Sequence, residues 1–139
     1  MANGTNYGYM ASGLAPASYM GPEWEGKLRV THDSYTFASA AAATTVNVGV
    51  LRPGEVFMGG FVVNAALGSG VTLQLGDSGD DDRYMDAAAA SSAGNINARK
   101  AEGIGYKNTG TTDIAIVLKT AGAEASGAVE VVINKACPN

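Results

Sequence analysis

From residue 28 onwards the chain divides into short segments in which apolar and polar residues alternate with a period of two. Ile114, Ile116 and Leu118 show the pattern most clearly, with Ala115 and Val117 between them. This period places successive side chains on opposite faces of a strand. The pattern predicts an all-β fold, a single β-sandwich or jelly-roll-like barrel of about eight short antiparallel strands. Seven of these strands can be placed, over residues 28–37, 45–51, 56–64, 71–75, 99–106, 113–119 and 128–134.

Two of these strands carry more specific expectations. Val46, Val48 and Val50 occupy alternate positions and are predicted to share one face. In the next strand, Gly59 and Gly60 indicate a bulge or a place where another backbone approaches closely, because glycine otherwise weakens a strand interior.

Turn chemistry separates the segments. Pro53 restricts φ and Gly54 permits positive φ, which together predict a turn before the third strand. Gly68 and Gly70 predict another. The alanine run at 87–90 has helical propensity and predicts a single helical turn, but it is too short for a stable helix.

Residues 1–22 contain no charged side chain and follow neither a helical nor a strand period. We therefore predict an extended, irregular N-terminal arm over residues 1–27, followed by one β-sandwich domain over residues 28–139. The arm needs a surface to lie on, either its own domain or a neighbouring subunit, and Tyr and Met are enriched at interfaces between proteins. Its candidate subunit-binding side chains are Tyr7, Tyr9, Met10, Leu14, Tyr19, Met20 and Trp24.

Composition and charge narrow the classes of function. Only 16% of the 139 residues are charged, which leaves much neutral surface that a neighbour can cover. The net charge is −4 and the basic residues are scattered, so no footprint for nucleic acid is present. No stretch approaches the ~20 apolar residues of a membrane span. The N-terminus has no signal-peptide pattern, which favours synthesis in a cytoplasm. We expect neither nucleic acid nor membrane as a partner.

One acidic cluster is a candidate metal site. Asp77, Asp80, Asp81 and Asp82 place four carboxylates within six residues, and Ca²⁺ prefers oxygen ligands. The spacing does not match a helix–loop–helix calcium loop. The alternative is a loop between strands whose side chains bond nearby backbone N–H groups, with Arg83 balancing charge.

No catalytic constellation is visible in the sequence. His32, the single histidine, falls on an alternating strand and is predicted to be packed or at a strand end. Cys137, the single cysteine, has no partner for an intrachain disulfide or a metal site and is predicted to be a spare thiol near a frayed terminus. Glu23 and Glu25 flank Trp24 too closely for a pair of acids across a cleft. We expect no enzymatic activity, no catalytic residues and no cofactor.

Five short segments follow one another along the chain. They are LRPGEVFMGGFVV at 51–63, VTLQLGD at 71–77, DDDRY at 80–84, GIGY at 103–106 and an apolar strand at 129–133. This series resembles the small capsid decoration proteins, or cement proteins, of tailed bacteriophages, and the resemblance covers roughly residues 28–134.

The resemblance implies a virion structural protein that binds the assembled capsid and stabilises it from the outer surface. It implies the major capsid protein as partner, a homotrimer or other homo-oligomer as the working form, and synthesis in the host cytoplasm. It brings no catalytic residues and no cofactor. The alternative function is a virion surface β-sandwich that recognises a host carbohydrate or receptor, with Ca²⁺ at the acidic cluster.

Overall fold

A computed structural model describes residues 27–137 of the chain. These residues form eight β-strands, and all their regular structure is strand. Across the same residues, no helix has the length and apolar character needed to cross a bilayer. The strands are β1 (Lys27–Ala40), β2 (Thr45–Leu51), β3 (Val56–Asn64), β4 (Thr72–Gly76), β5 (Met85–Ala89), β6 (Gly94–Ala98), β7 (Ile114–Ala121) and β8 (Ala125–Cys137).

The strands form two four-stranded antiparallel sheets. The first sheet has the order β1-β8-β3-β6 and the second sheet the order β2-β7-β4-β5. Within them β1 pairs with β8, β2 with β7, β3 with β6 and β4 with β5, so the chain pairs like one long hairpin rolled up on itself. This is the jelly-roll arrangement of an eight-stranded sandwich. The predicted all-β sandwich is confirmed.

Side chains from the inner faces of both sheets fill the core. Ile116 and Leu118 on β7 are fully buried, as their alternation predicts. The ring of Phe57 lies 4.3 Å from that of Tyr84, centroid to centroid, and joins β3 to the loop after β4. The largest fully buried side chains are Tyr84, Phe37, Phe57, Leu51, Leu67, Leu73, Leu75, Ile116, Leu118, Ile133, Val62 and Val71.

Two predictions of local structure are wrong. The alanine run at 87–90 lies mostly in β5, where Ala88 and Ala89 pair with β4, because ladder hydrogen bonds outweigh a weak helical propensity. Residues 99–106 form turns instead of a strand. There Gly103 is packed so tightly that an added Cβ would lie 2.5 Å from the carbonyl oxygen of Arg83. The sequence analysis also missed the short, polar β6.

The burial of β1 and β2 also differs from the prediction. A register shift between Asn47 and Gly49 turns Val50 outwards, while Val48 stays buried. One extra residue reverses the inward and outward positions that follow it. His32 shares a face with Val30 as predicted, but this is the outer face of the first sheet and the histidine is exposed.

The glycine pair in β3 behaves as predicted. The register against β8 shifts between Phe57 and Gly59, which marks a bulge. At Gly60 an added Cβ would lie 2.1 Å from the carbonyl oxygen of Val132. No side chain fits there, so glycine allows β3 and β8 to pack together at the centre of the first sheet.

Candidate functional site

The Asp77 loop follows β4 and is built around one buried carboxylate. Oδ1 of Asp77 accepts hydrogen bonds from the backbone N–H groups of Gly79 (2.9 Å) and Asp80 (3.1 Å). Oδ2 accepts from Nε of Arg83 at 2.7 Å and from the hydroxyl of Tyr84 at 2.9 Å. The protein itself therefore occupies both oxygens of this carboxylate.

These donors also govern the protonation of Asp77. Burial alone raises the pKa of this carboxyl, but the hydrogen bonds from Arg83, Tyr84 and Gly79 outweigh it and hold the pKa below its ordinary value. The hydrogen bond to Asp77 raises the pKa of Arg83. The pKa of Tyr84 is also raised, mainly by burial and next by its hydrogen bond to Asp77. The Arg83 guanidinium also lies 4.1 Å from the ring centroid of Tyr106, a cation–π contact that joins the loop to the turns at 99–106.

A second charged cluster surrounds Lys100. Its Nζ lies 3.0 Å from Oδ1 of Asp82 and 3.0 Å from Oδ1 of Asp86, and it also contacts the carboxylate of Glu102. Carboxylate oxygens of Asp80, Asp82 and Glu102 lie within 4.8 Å of one another. The positive charge of the Lys100 ammonium group disfavours a cation at this place. Its hydrogen bond to Asp82 lowers the pKa of that carboxyl group.

Of the four candidate calcium ligands, Asp80 and Asp82 lie in one carboxylate group with Glu102 and the other two do not, and all four are engaged by the protein. Asp77 is buried among its own donors, and Asp82 pairs with Lys100. Oδ2 of Asp81 accepts from Nζ of Lys119 on β7 at 2.7 Å. Oδ1 of Asp80 accepts from the backbone N–H of Asp82 at 3.3 Å. These contacts favour the interpretation that the loop is held by its own hydrogen bonds and ion pairs over the interpretation that it is a metal site.

Removal of divalent metal should leave the folded protein unchanged. We expect the melting temperature to be the same with EDTA and with millimolar Ca²⁺, because the loop's carboxylates already have protein partners. Thermal unfolding followed by circular dichroism measures this. A rise of several degrees in Ca²⁺ that EDTA reverses would contradict the expectation, since a ligand that binds only the folded state stabilises it.

A buried ion pair links the start of β3 to the end of β8. Nζ of Lys135 donates to Oε2 of Glu55 and to the carbonyl oxygen of Val50, both at 2.8 Å. The Arg52 N–H donates to the same carboxylate at 2.8 Å and Sγ of Cys137 lies 3.3 Å from Oε1. Burial raises the pKa of Glu55. The hydrogen bonds from these partners, with that from Lys135 the largest, outweigh burial and hold the pKa below its ordinary value.

The predicted position of Cys137 at a frayed end is therefore wrong. The thiol is buried on the last residue of β8. Burial and the adjacent Glu55 carboxylate raise the pKa of the Cys137 thiol, which disfavours the reactive thiolate. The cysteine serves packing at this end of the sandwich.

A groove of about 620 Å³ lies against β2 and β7 of the second sheet. Polar side chains line much of it, among them Asn47, Asp81, Asp113 and Lys119. Each of its lining residues belongs to the described part of the chain, and none of these is aromatic. The groove therefore lacks the exposed Trp or Tyr that would favour the alternative of glycan recognition.

The outer face of the first sheet carries exposed apolar side chains. Leu28 and Val30 of β1 are 67% and 61% exposed, and Met58 and Val63 of β3 are also exposed. Ile104 lies beside them, 3.3 Å from where a Cβ on Gly59 would be. We call this surface the outer face. Its central residues, Phe61 and Val132, are opposite each other and half-buried.

The sequence analysis did not single out this face, although a signal was present. Residues 56–64 are apolar at nearly every position, whereas a strand with one wet face alternates cleanly. Apolar residues on both faces of β3 are therefore the sequence signal for this exposed apolar surface. The predicted arm residues, Tyr7 to Trp24, lie outside the described residues.

The fold has counterparts among solved structures of phage capsids. A chain of the cyanophage Pam1 capsid asymmetric unit superposes with a TM-score of 0.67 at 21% identity, covering 89% of this chain and 91% of that one. A chain of the capsid of Ralstonia phage GP4 has a TM-score of 0.67 at 16% identity, covering 82% and 86%. No protein-family model and no curated protein matches the chain. At these identities the likeness shows a shared fold along nearly the whole of each chain.

Proposed function

We propose that this chain is a structural protein of a tailed-phage virion that binds the assembled capsid and stabilises it as a decoration or cement protein. The observation that carries the proposal is the match to chains of two phage capsids over most of both chains, without large unmatched parts on either side. The order of short motifs from residue 51 to residue 133 supports the same class.

The surface chemistry agrees with a role in binding protein. A soluble protein rarely leaves several large apolar side chains together on one sheet face unless that face is covered by a partner. The described polar clusters, around Asp77, Lys100 and Glu55, are paired internally. The proposed partner is the major capsid protein on the outer surface of the shell, and the proposed working form is a homotrimer or other homo-oligomer. We propose no catalytic role and no cofactor.

Attachment to a shell benefits from contacts that span several subunits. A second contact made by the same molecule forms at a high effective concentration, so linked contacts together exceed the affinity of either one. In the proposed arrangement the β-domain supplies one contact and the arm, residues 1–27, the other. The arm offers Tyr7, Tyr9 and Met10 among its apolar side chains, and their burial offsets the entropy lost when the arm becomes ordered.

Deletion of residues 1–22 tests this function. We expect the truncated protein to unfold at the same temperature as the full chain, because residues 27–137 supply both sheets and a buried core between them. Its affinity for expanded shells of the coat protein encoded with it should fall about 100-fold or more, because one of two linked contacts is lost. Co-sedimentation with shells and electron microscopy of the particles measure occupancy.

The control is the full-length chain with Lys107→Gln, a substitution of an exposed residue outside the arm. It should bind as the full chain does. Unchanged occupancy after the deletion would contradict the role of the arm. A full-length protein that binds no coat shell at all would contradict the proposed function.

A further inference from the structure

We propose that the outer face of the first sheet is the surface on which a second copy of this chain packs. The inference deepens the proposed function and rests on it, since it assigns the interface of the homo-oligomer that binds the shell and makes that contact a two-fold one, as in a homodimer. Five of the large apolar side chains exposed in the described chain lie on or beside this face: Leu28, Val30, Met58, Val63 and Ile104.

The strand register shows that these side chains belong to one surface. Val30 is opposite Asn134 of β8, and Asn134 is opposite Gly59 on the other side. In the next row His32 is opposite Val132, which is opposite Phe61. Side chains in register across neighbouring strands point to the same side of a sheet. The apolar groups therefore form a continuous surface from the edge of β1 to β3.

The size of the face suits a contact between two folded copies. β3 has nine residues and β8 has thirteen, which gives lengths of about 30 and 43 Å at ~3.3 Å per residue. Four strands spaced by ~4.8 Å span about 19 Å. The face thus offers on the order of 600–800 Å², close to the ~800 Å² per partner of a standard interface.

The charges of this acidic chain leave the outer face suited to a contact with itself. The net charge is −4, and the dense acids, from Asp77 to Asp86, belong to the loop between β4 and β5 and to β5 in the second sheet. On the outer face Glu130 has its carboxylate 3.9 Å from Nε2 of His32. The acids closest to Arg99 along the turn, Asp82, Asp86 and Glu102, already contact Lys100.

Two opposite charges lie at separate places on the face. Glu130 is in register with Val63 at one end of β3. Arg99 lies beside the middle of β3, where its Cγ would be 4.0 Å from a Cβ on Gly59, and it forms no ion pair with any described residue. Gly59 and Val63 are about 13 Å apart along the strand. A copy packed in the opposite direction places its Glu130 near this Arg99, and the reverse contact forms as well, as in a symmetric interface.

This pattern favours a second copy over the chain's own arm as the occupant. The charged side chains that precede β1 are Glu23 and Glu25, so the segment before β1 offers carboxylates but no basic side chain to pair with Glu130. A second copy supplies both charges and an apolar face of the same size and shape.

Sedimentation of the full-length protein tests the interface. We expect the wild-type chain to sediment as an oligomer of its 14.0 kDa subunit. Val30→Asp and Val63→Asp should raise the dissociation constant about 100-fold or more, because each buries an unpaired charge in the contact. Both side chains are exposed in the single chain, so far-ultraviolet circular dichroism and the melting temperature of the monomer should show an intact fold.

Two further variants make the test specific. Val50→Asp changes a valine that is exposed on the second sheet and should leave the oligomer intact. Glu130→Arg should weaken association because it meets Arg99 of the second copy, and Arg99→Glu in the same chain should restore it. A purely structural role of Glu130 within one subunit would not produce this rescue.

Two results would overturn the inference. The first is a wild-type chain that stays monomeric at high micromolar concentration, which includes the case of an arm that covers the face of its own chain. The second is an oligomer that Val30→Asp and Val63→Asp leave intact. If these variants also lose occupancy on coat shells, the face is assigned to the capsid and the proposed function stands. An oligomer that Val30→Asp disperses but that binds no shell supports the interface and contradicts the proposed function.

Discussion

Lys135→Met is expected to lower the free energy of unfolding by about 3–5 kcal/mol. The ammonium group donates to Glu55 and to the carbonyl oxygen of Val50, and the side chains of Lys135 and Glu55 are only 7% and 5% exposed. Methionine fills a similar volume, so the loss comes mainly from a carboxylate left buried without its cation. Urea unfolding followed by fluorescence or circular dichroism measures the change.

The control for this prediction is a lysine on the surface. Lys119→Met removes the contact with Asp81, whose side chain is 57% exposed, and should cost less than about 1 kcal/mol. The double variant Glu55→Gln with Lys135→Met should recover part of the loss, because no buried charge is left without a partner. A Lys135→Met protein as stable as the wild type would show that the pair is not buried in solution.

Asp77→Asn is expected to lower the free energy of unfolding by about 3 kcal/mol. Asp77 accepts hydrogen bonds from four residues, Gly79, Asp80, Arg83 and Tyr84. An amide of the same shape accepts on one atom only, and it leaves the Arg83 guanidinium without its counter-ion. Chemical unfolding at neutral pH measures the loss, with the exposed Asp81→Asn in the same loop as the matched control.

The same variant should change how stability depends on pH. The pKa values of Asp77 and Glu55 in the folded protein lie below their ordinary values of 3.8 and 4.5, so the unfolded chain binds protons more readily. The stabilisation by both groups is complete above those ordinary values and is lost as the pH falls below them towards the folded-state pKa. The slope of unfolding free energy against pH, measured from neutral pH to about pH 3, should be shallower for Asp77→Asn. An equal slope would indicate that Asp77 has an ordinary pKa when folded.

The outer face shows what alternation along one strand predicts and what only pairing between strands decides. Alternation along β1 correctly placed Leu28, Val30 and His32 on one side of a strand. It could not say which side faces the core, because Thr31, Tyr35 and Phe37 form an equally regular series on the other side. Pairing with β8 decides the matter, since Tyr35 is opposite the buried Val129.

The acidic loop and the glycines give a similar contrast. Asx and glycine chemistry predicted a turn after β4 from local preference alone, and a glycine bulge in β3 followed from the same kind of reasoning. The partners of Asp77, however, include Arg83 and Tyr84 held in place by Phe57 and Tyr106. The pair of Glu55 with Lys135 joins residues 80 positions apart, and no local pattern predicts such a contact.

The amino-acid sequence by itself determined the all-β class, most strands and the main turns of this protein, because each depends on side-chain period and on the φ preferences of Gly and Pro over a few residues. Only the tertiary structure decided that the alanine run is a strand, that Val50 faces outwards, and that residues 99–106 turn back against Tyr84. It also decided that apolar side chains remain exposed on one sheet. These features depend on strand partners distant in the chain, and the free energy of pairing and burial there exceeds any local propensity.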